Sequence, residues 1–517
     1  MRFARPTLLA LSLAAGLAPL VLGQGGVPAD VWMRYATPET AGYSPEALEQ
    51  AHEYWASTQS AAYMVVDRGA VVVAWGDVDR RLMCHSVRKS LMSGLYGIHV
   101  DAGTIDPTKT MAELDIDDEP ALTDQEKTAK IEHLLAARSG VYRLAAYEPP
   151  QNPKPPRGSH APGTNFCYNN WDFNTLLTIL EQEAQTRVFE DFEERFAKPL
   201  GMQDYRVRDG YYHYEREKSI HPAYPFRMTA RDMARFGLLY AYEGKWGSDV
   251  ILSEDWIELS TRAHSRNSET DGYAYLWWTR DDAEAEPHRM FSARGVGGQS
   301  IDVLPDLDVV MVNRTNTFED GQRVGDGELL QLVRLVLAAR VGEPAEEPEL
   351  VPLESREPPA RVSLPEDYLT TLQGAFEVPG DRTARIELAG SELVMHFMGM
   401  TFDLLPLSDS LFFVEGVERP LRFEFDDEGR PAGIVVEALL VEQAGELVAT
   451  GELEAAWSIL EVALGTFPEC AETHVAAARL QHAMGHRERA EELLLRALEL
   501  APGHRRATVL LAELTGE

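Results

Sequence analysis

Lysine is scarce in this chain. Only eight occur in 517 residues, at 89, 109, 127, 130, 154, 198, 218 and 245, and none follows Lys245. Basic residues number 48 against 83 acidic ones, so the formal net charge is −35. Such a charge makes nucleic acid and anionic membrane surfaces poor partners. Cysteine is nearly absent. Cys84, Cys167 and Cys470 form neither a disulfide scaffold nor a metal knuckle. The 14 histidines show no His-Glu-x-x-His or similar spacing, so neither a metal nor another cofactor is expected. No Gly-x-Ser-x-Gly elbow occurs, which removes the hydrolase class built on that turn. Beyond the N-terminus no apolar run is long enough to span a membrane.

The N-terminus itself reads as a secretory signal over residues 1–23. Arg2 and Arg5 give a positive start, Thr7 to Leu22 is apolar, and Val21-Leu22-Gly23 suits cleavage. The expectation is an exported protein, periplasmic or extracellular. With 44% hydrophobic and 9% aromatic residues, a chain of this length holds several cored domains.

Residues 30–341 carry the chemistry. Ser44-Pro45 opens a helix that continues to Ser57, and Tyr63–Val66 and Val71–Trp75 read as strands. A helix starting at Ser86 runs to about Gly103. Further helices are expected at about 124–136, over Asn174–Phe196, over Met233–Tyr240 behind the Thr229 capping box, and at about 327–340. Strands are expected at Gly272–Thr279, Arg289–Ser292, Gln299–Leu304 and Asp308–Asn313. Strands at both ends of a helical middle predict one antiparallel sheet. Residues 342–362 are a Pro- and Glu-rich linker. Residues 363–440 hold short alternating runs between Gly and Asp turns, the pattern of a small β-barrel or sandwich. Residues 446–515 repeat at a spacing of 34: Gly451 recurs as Gly485, Ala456 as Ala490, Ala463 as Ala497 and Pro468 as Pro502. That resembles the tetratricopeptide repeat, whose two copies here expose an apolar face to a protein partner, another domain or another copy of the chain.

Three clusters stand out. In the first, Ser86 and Lys89 are one helical turn apart on the same face, and Lys89 is the one lysine with a serine three residues before it. A serine hydroxyl needs a neighbour to take its proton, and a buried lysine with a lowered pKa can do so. In the second, Tyr168 and Asn170 offer a phenol for proton transfer and an amide for a substrate carbonyl. In the third, Arg294-Gly295-Val296-Gly297-Gly298 leads into a strand and lets backbone approach a ligand.

Together and in this order, with Leu134-Leu135-x-x-Arg138-Ser139-Gly140 between the first two, these motifs resemble the serine β-lactamase and penicillin-binding-protein superfamily, nearest its esterase, amidase and D-peptidase members. The resemblance implies a multidomain α+β protein. It would have a β-lactamase-like α/β sandwich with an antiparallel sheet flanked by helices, then a small all-β domain of lipocalin-like type, then an α-helical repeat tail. It implies that Ser86 is the acylated nucleophile and that Lys89 and Tyr168 share general acid–base work. Asn170, Arg294 and Gly295 would contact substrate, and the backbone N–H groups of Ser86 and Val296 would form the oxyanion hole. The expected reaction is cleavage of an ester or amide bond, a peptide included, in a small-molecule or peptide substrate. Two alternatives remain: a non-catalytic scaffold acting through the tail, and a β-lactamase or D,D-peptidase. The second meets a departure. Where penicillin-recognising members carry Lys-Thr-Gly, this chain has Ala293-Arg294-Gly295. If Ser86 and Tyr168 face one cleft, Cys84 and Cys167 are neighbours, either bridged or as two buried free thiols. Cys470 is expected free.

Overall fold

The computed structural model describes residues 26–515, apart from 29, 149–151, 267, 269–270, 281–287, 319–321 and 356–360. The signal expected over residues 1–23 lies outside the described residues.

A ten-stranded sheet organises the first 350 residues. Its strands are β1 (Met33–Tyr35), β2 (Ala62–Asp67), β3 (Ala70–Gly76), β4 (Ser265–Arg266), β5 (Asp271–Tyr273), β6 (Trp278–Arg280), β7 (Met290–Gly295), β8 (Gln299–Leu304), β9 (Val309–Arg314) and β10 (Leu350–Pro352). The order is β10-β1-β3-β2-β9-β8-β7-β6-β5-β4, antiparallel except where β1 meets β3. The chain ends meet in the middle: β9 pairs with β2, Val310 opposite Val66 and Val312 opposite Met64.

Both faces of the central strands are buried, so β2 and β9 run apolar through Tyr63–Val66 and Val309–Val312 rather than alternating, with buried Asp67, Asn313 and Arg314 at their ends. Ala62, Met64 and Val66 point toward helices α2 (Arg88–Asp101) and α4 (Ala230–Ala241) and share one core with them. Tyr63 and Val65 point the other way, into a second core with α1 (Pro45–Ser57) and α5 (Asp326–Ala339). Helix α3 (Asn170–Ala184) lies in the first core. Two starts follow the capping chemistry: Ser44 Oγ accepts from Ala47 N at 3.3 Å, and Thr229 Oγ1 from Asp232 N at 3.1 Å.

Three local expectations are corrected. The helix at 124–136 is instead a short turn at Glu126–Thr128 and a helix at Ile131–Leu135. The break is tertiary: Lys130 bridges to Thr110, and Met111 N donates to Ala129 O at 2.8 Å. The region 174–196 starts earlier, at Asn170, and breaks at Gln185, whose φ is +52°. The strand 272–279 is a hairpin of β5 and β6, turned by Leu276 at φ +67°. That turn is held against α2, because Ser90 Oγ donates to Leu276 O at 2.7 Å.

A seven-stranded antiparallel sheet follows, β11 (Gly374–Val378), β12 (Arg382–Ala389), β13 (Glu392–Phe397), β14 (Met400–Pro406), β15 (Leu411–Val414), β16 (Arg419–Phe425) and β17 (Pro431–Val436), in sequential order. Its first and last strands approach each other, so the barrel is nearly closed. An ion-pair network ties it to the first domain: Arg81 reaches Asp209 at 3.2 Å and Glu415 at 2.5 Å, and Arg208 reaches Asp403 at 2.8 Å. Arg80 donates to Val417 O at 2.8 Å. The segment leading to Ser86 is thereby braced by the barrel.

The helical tail comprises α6 (Glu437–Thr450), α7 (Leu453–Thr466), α8 (Ala471–Ala483), α9 (Arg487–Leu500) and α10 (Arg505–Thr515). Helix α6 begins directly after β17, with buried Glu437 accepting from Arg419 at 3.1 and 3.2 Å. The far end returns to the first domain. Arg505 donates to Ser60 O at 2.8 Å, Trp55 O at 3.0 Å and Thr58 O at 2.7 Å, with its guanidinium 4.6 Å from the Trp55 ring centroid. These carbonyls lie at and just beyond the C-terminal end of α1, where a cation is favoured. Arg505→Ala is expected to destabilise the protein by about 1–3 kcal/mol, read as a lower melting temperature; an unchanged melt would show that this contact does not hold the tail.

Candidate active site

Ser86 lies in a single tight turn, His85–Val87, that feeds α2; the helix proper starts at Arg88 rather than at Ser86. The turn is anchored from behind. Cys84 N donates to Phe226 O at 2.8 Å, and the buried Arg314 guanidinium donates to Leu82 O at 2.6 Å and Met83 O at 3.2 Å. His85 has φ +48°, a left-handed conformation that a residue with a Cβ adopts at a cost. Its ring pins it there: Nδ1 is 2.7 Å from Tyr147 OH and Nε2 is 2.6 Å from Thr317 Oγ1. Burial and nearby cations hold the His85 imidazole down to about 4, so it is neutral near pH 7.

Lys89 projects from the first turn of α2. Its Nζ lies 2.8 Å from Ser86 Oγ and 2.6 Å from Tyr168 OH. The rings of Tyr168 and Phe173 flank it, at 4.4 and 4.6 Å from Nζ to the centroids. The residue is only 2% exposed. Burial drives its pKa well below the ordinary lysine value, the adjacent Arg88 charge drives it further, and Glu148 opposes both. Arg88 is itself fully buried, with its guanidinium 4.9 Å from the Tyr224 ring and hydrogen-bonded to Asn174 Oδ1 at 3.3 Å. Tyr168 is pushed up to about 12, chiefly by burial, while a Ser86 hydrogen bond and Arg88 pull the other way. Its proton therefore stays on throughout the working pH range.

The segment carrying Tyr168 is fixed by the Leu134–Gly140 motif. Cys167 N donates to Ala137 O at 2.9 Å, and Ser139 Oγ donates to Asp172 Oδ1 at 2.6 Å. Arg138 donates to Gly163 O at 2.8 and 3.0 Å. Aromatic rings wall the site, Tyr168 stacking on Trp278 at 5.4 Å and meeting Tyr273 edge-on at 5.8 Å. Asn170 Nδ2 donates to Tyr147 O at 2.6 Å, while its buried Oδ1 has no partner among the described residues.

The glycine-rich end of β7 reaches the same place. A Cβ on Gly295 would stand 2.5 Å from Cys84 O and 3.2 Å from Ser86 N, so only glycine lets this strand lie against the Ser86 turn. Val296 begins the tight turn that follows and is 59% exposed. Arg294 turns aside. It shares a face with Ser292 and pairs with buried Asp302 at 2.7 Å. The three cysteines are free thiols. No cluster of three or more His, Cys, Asp or Glu suited to a metal is present among the described residues.

The structure thus brings Ser86, Lys89, Tyr168 and Gly295 together, sets Asn170 beside them through Tyr147, and engages Arg294 with Asp302. Sequence reasoning missed Arg88, His85, Tyr147 and Thr317. Arg88 had one available signal, a second cation at the start of an otherwise apolar helix; Tyr147 and Thr317 had none, because their partners lie 62 and 232 residues away.

A family model described as beta-lactamase matches residues 48–335, and one described as tetratricopeptide repeat matches residues 447–514. No curated protein matches. Among solved structures, the octameric penicillin-binding protein homologue from Pyrococcus abyssi is 15% identical, with a TM-score of 0.45 over 76% of this chain and 99% of that one. The penicillin binding protein from Bacillus halodurans is 16% identical, TM-score 0.42, over 56% and 99%. EstCE1, a hydrolase with promiscuous acyltransferase activity, is 16% identical, TM-score 0.42, over 59% and 99%. Because the first of these family models spans more than half of the sequence, the protein belongs to the beta-lactamase family.

Proposed function

We propose that this protein is an exported serine hydrolase that cleaves an ester or amide bond through an acyl-enzyme on Ser86. One observation carries the reading: a buried lysine amine, its pKa driven well down by burial, within hydrogen-bond distance of both a serine hydroxyl and a tyrosine phenol. In the proposed sequence the Ser86 hydroxyl donates to neutral Lys89 Nζ, which takes the proton as Oγ attacks the carbonyl carbon. The backbone N–H groups of Ser86 and Val296 receive the oxyanion. The proton passes through the Tyr168 hydroxyl to the leaving group as the tetrahedral intermediate collapses, and water then attacks the acyl-enzyme by the reverse relay. The Arg294–Asp302 pair favours an ester or amide over a β-lactam, since the charge that would grip a ligand carboxylate is already engaged. Export rests on Arg2, Arg5 and the apolar run after them.

The test is labelling with a fluorophosphonate, mapped by peptide mass spectrometry, beside turnover of ester, amide, D-peptide and β-lactam substrates. Label on Ser86 with ester or amide turnover is expected. A folded protein that neither labels nor turns over any of them would reject the assignment. A second result follows from the Gly295 contact. Gly295→Ala should lower kcat/KM at least about tenfold, because the added methyl pushes the Val296 turn away from Ser86; an unaltered value would remove Val296 from the oxyanion hole.

A further inference from the structure

A cavity of about 770 Å³ lies where the open end of the barrel meets the helical tail, and Thr317, the partner of His85, reaches its wall. That is the size range of small-molecule sites. Barrel strands contribute Met395, Phe397 and Phe402 to its wall, α6 contributes Val441 and Val448, and α8 contributes Ala476. The barrel's own interior is filled: Phe423 packs against Phe376 at 5.8 Å and Phe412 at 5.3 Å between ring centroids. Met395, Phe397 and Phe402 belong to the barrel's own core, so the space lies at the barrel's end beneath the tail, and Met395, Met398 and Met400 give its wall adaptable side chains that accommodate a flexible chain.

Its charge runs against the rest of the protein. The chain has 83 acidic and 48 basic residues, yet the cavity is lined by four arginines, Arg382, Arg419, Arg479 and Arg506, and by only two acids, Glu442 and Glu472. Three of the arginines are engaged. Arg382 holds Glu442 through two bonds of 3.0 and 3.2 Å, Arg419 holds Glu437, and Arg506 holds Glu472. Arg479, exposed on α8 at the rim, pairs with no acid among the described residues. An apolar hollow with a net positive wall and one unengaged guanidinium at its edge matches a ligand with one long apolar arm and one negative head.

We propose that this cavity binds a single-chain amphiphile with a monoanionic head, of the fatty carboxylate class, its chain against the Met395–Phe402 wall and its head on Arg479. Nothing in this depends on Ser86 being a nucleophile. The test is calorimetric titration of the full chain with laurate and, separately, with dodecyltrimethylammonium, both below their micellar concentrations. Laurate should bind with one-to-one stoichiometry and at least about tenfold more tightly than the cationic analogue. Arg479→Glu, a surface change that the fold tolerates, should weaken laurate about tenfold and narrow or invert the preference. Ala476→Trp, which fills the hollow, should abolish binding with the melting temperature retained. The proposal is overturned if the folded wild-type chain does not bind laurate, if the cation binds as tightly, or if Arg479→Glu leaves laurate affinity unchanged. Binding of an extended peptide in place of laurate would overturn it too, by making the surface a protein-docking groove.

Discussion

Ser86→Ala is expected to lower turnover by about 10³- to 10⁶-fold, the range seen when one member of a nucleophile–base unit is removed. Its hydroxyl contributes chemistry and almost no packing. The left-handed His85 that precedes it is pinned by Tyr147 and Thr317, neither of which touches Ser86 Oγ, so the turn should keep its shape. The melting temperature should move little and fluorophosphonate labelling should vanish. Retention of more than about a thousandth of the wild-type rate would place the nucleophile elsewhere.

The second large effect joins activity and stability with opposite signs. Lys89→Met should lose nearly as much activity as Ser86→Ala, and the two losses should not add, because the residues act as one unit. Yet the variant should be more stable. Lys89 has a folded-state pKa depressed below its unfolded value, so between those two values the unfolded chain binds a proton that the folded chain does not. Stability therefore rises with pH between the folded and unfolded pKa, and below that window the full penalty applies. Methionine fills a similar volume, keeps the contact with the Tyr168 and Phe173 rings and carries no charge. Replacements of this kind raise stability by about 1–4 kcal/mol, and the gain should shrink as the pH approaches the ordinary lysine range. The same depression sets the acid limb of the rate: activity should fall as the pH drops through the Lys89 pKa. Tyr168, at about 12, keeps its proton throughout and adds no limb near neutrality. Arg88 supplies part of the depression, so Arg88→Gln should move the acid limb to higher pH. A Lys89→Met variant that is less stable than wild type at pH 7 would show that the lysine is structural rather than poised for proton transfer.

Local chemistry determined what the sequence alone revealed. Ser44-Pro45 caps its helix because side chain and backbone partner are three residues apart, and the spacing of Gly451 and Gly485 announces helical pairs because each repeat meets the same neighbours. The three-residue spacing of Ser86 and Lys89 placed both on one face, and the absence of lysine after position 245 excluded a Lys-Thr-Gly strand outright. Contacts across long stretches of chain decided the rest. Tyr168 comes to 2.6 Å from Lys89 across 79 residues, because the sheet and the Leu134–Gly140 motif carry it there. The same kind of contact broke the 124–136 helix at Ala129, folded 272–279 over Leu276 against α2, turned Arg294 onto Asp302 and brought Arg505 back to the end of α1. In each case the local preference is worth a few tenths of a kcal/mol per residue, about the size of a helix propensity, and a buried ion pair or satisfied backbone group outweighs it. That imbalance is why the pairing of Ser86 with Lys89 was legible from spacing, while the depression of the lysine's pKa, set by burial and by Arg88, existed only once the chain had closed around it.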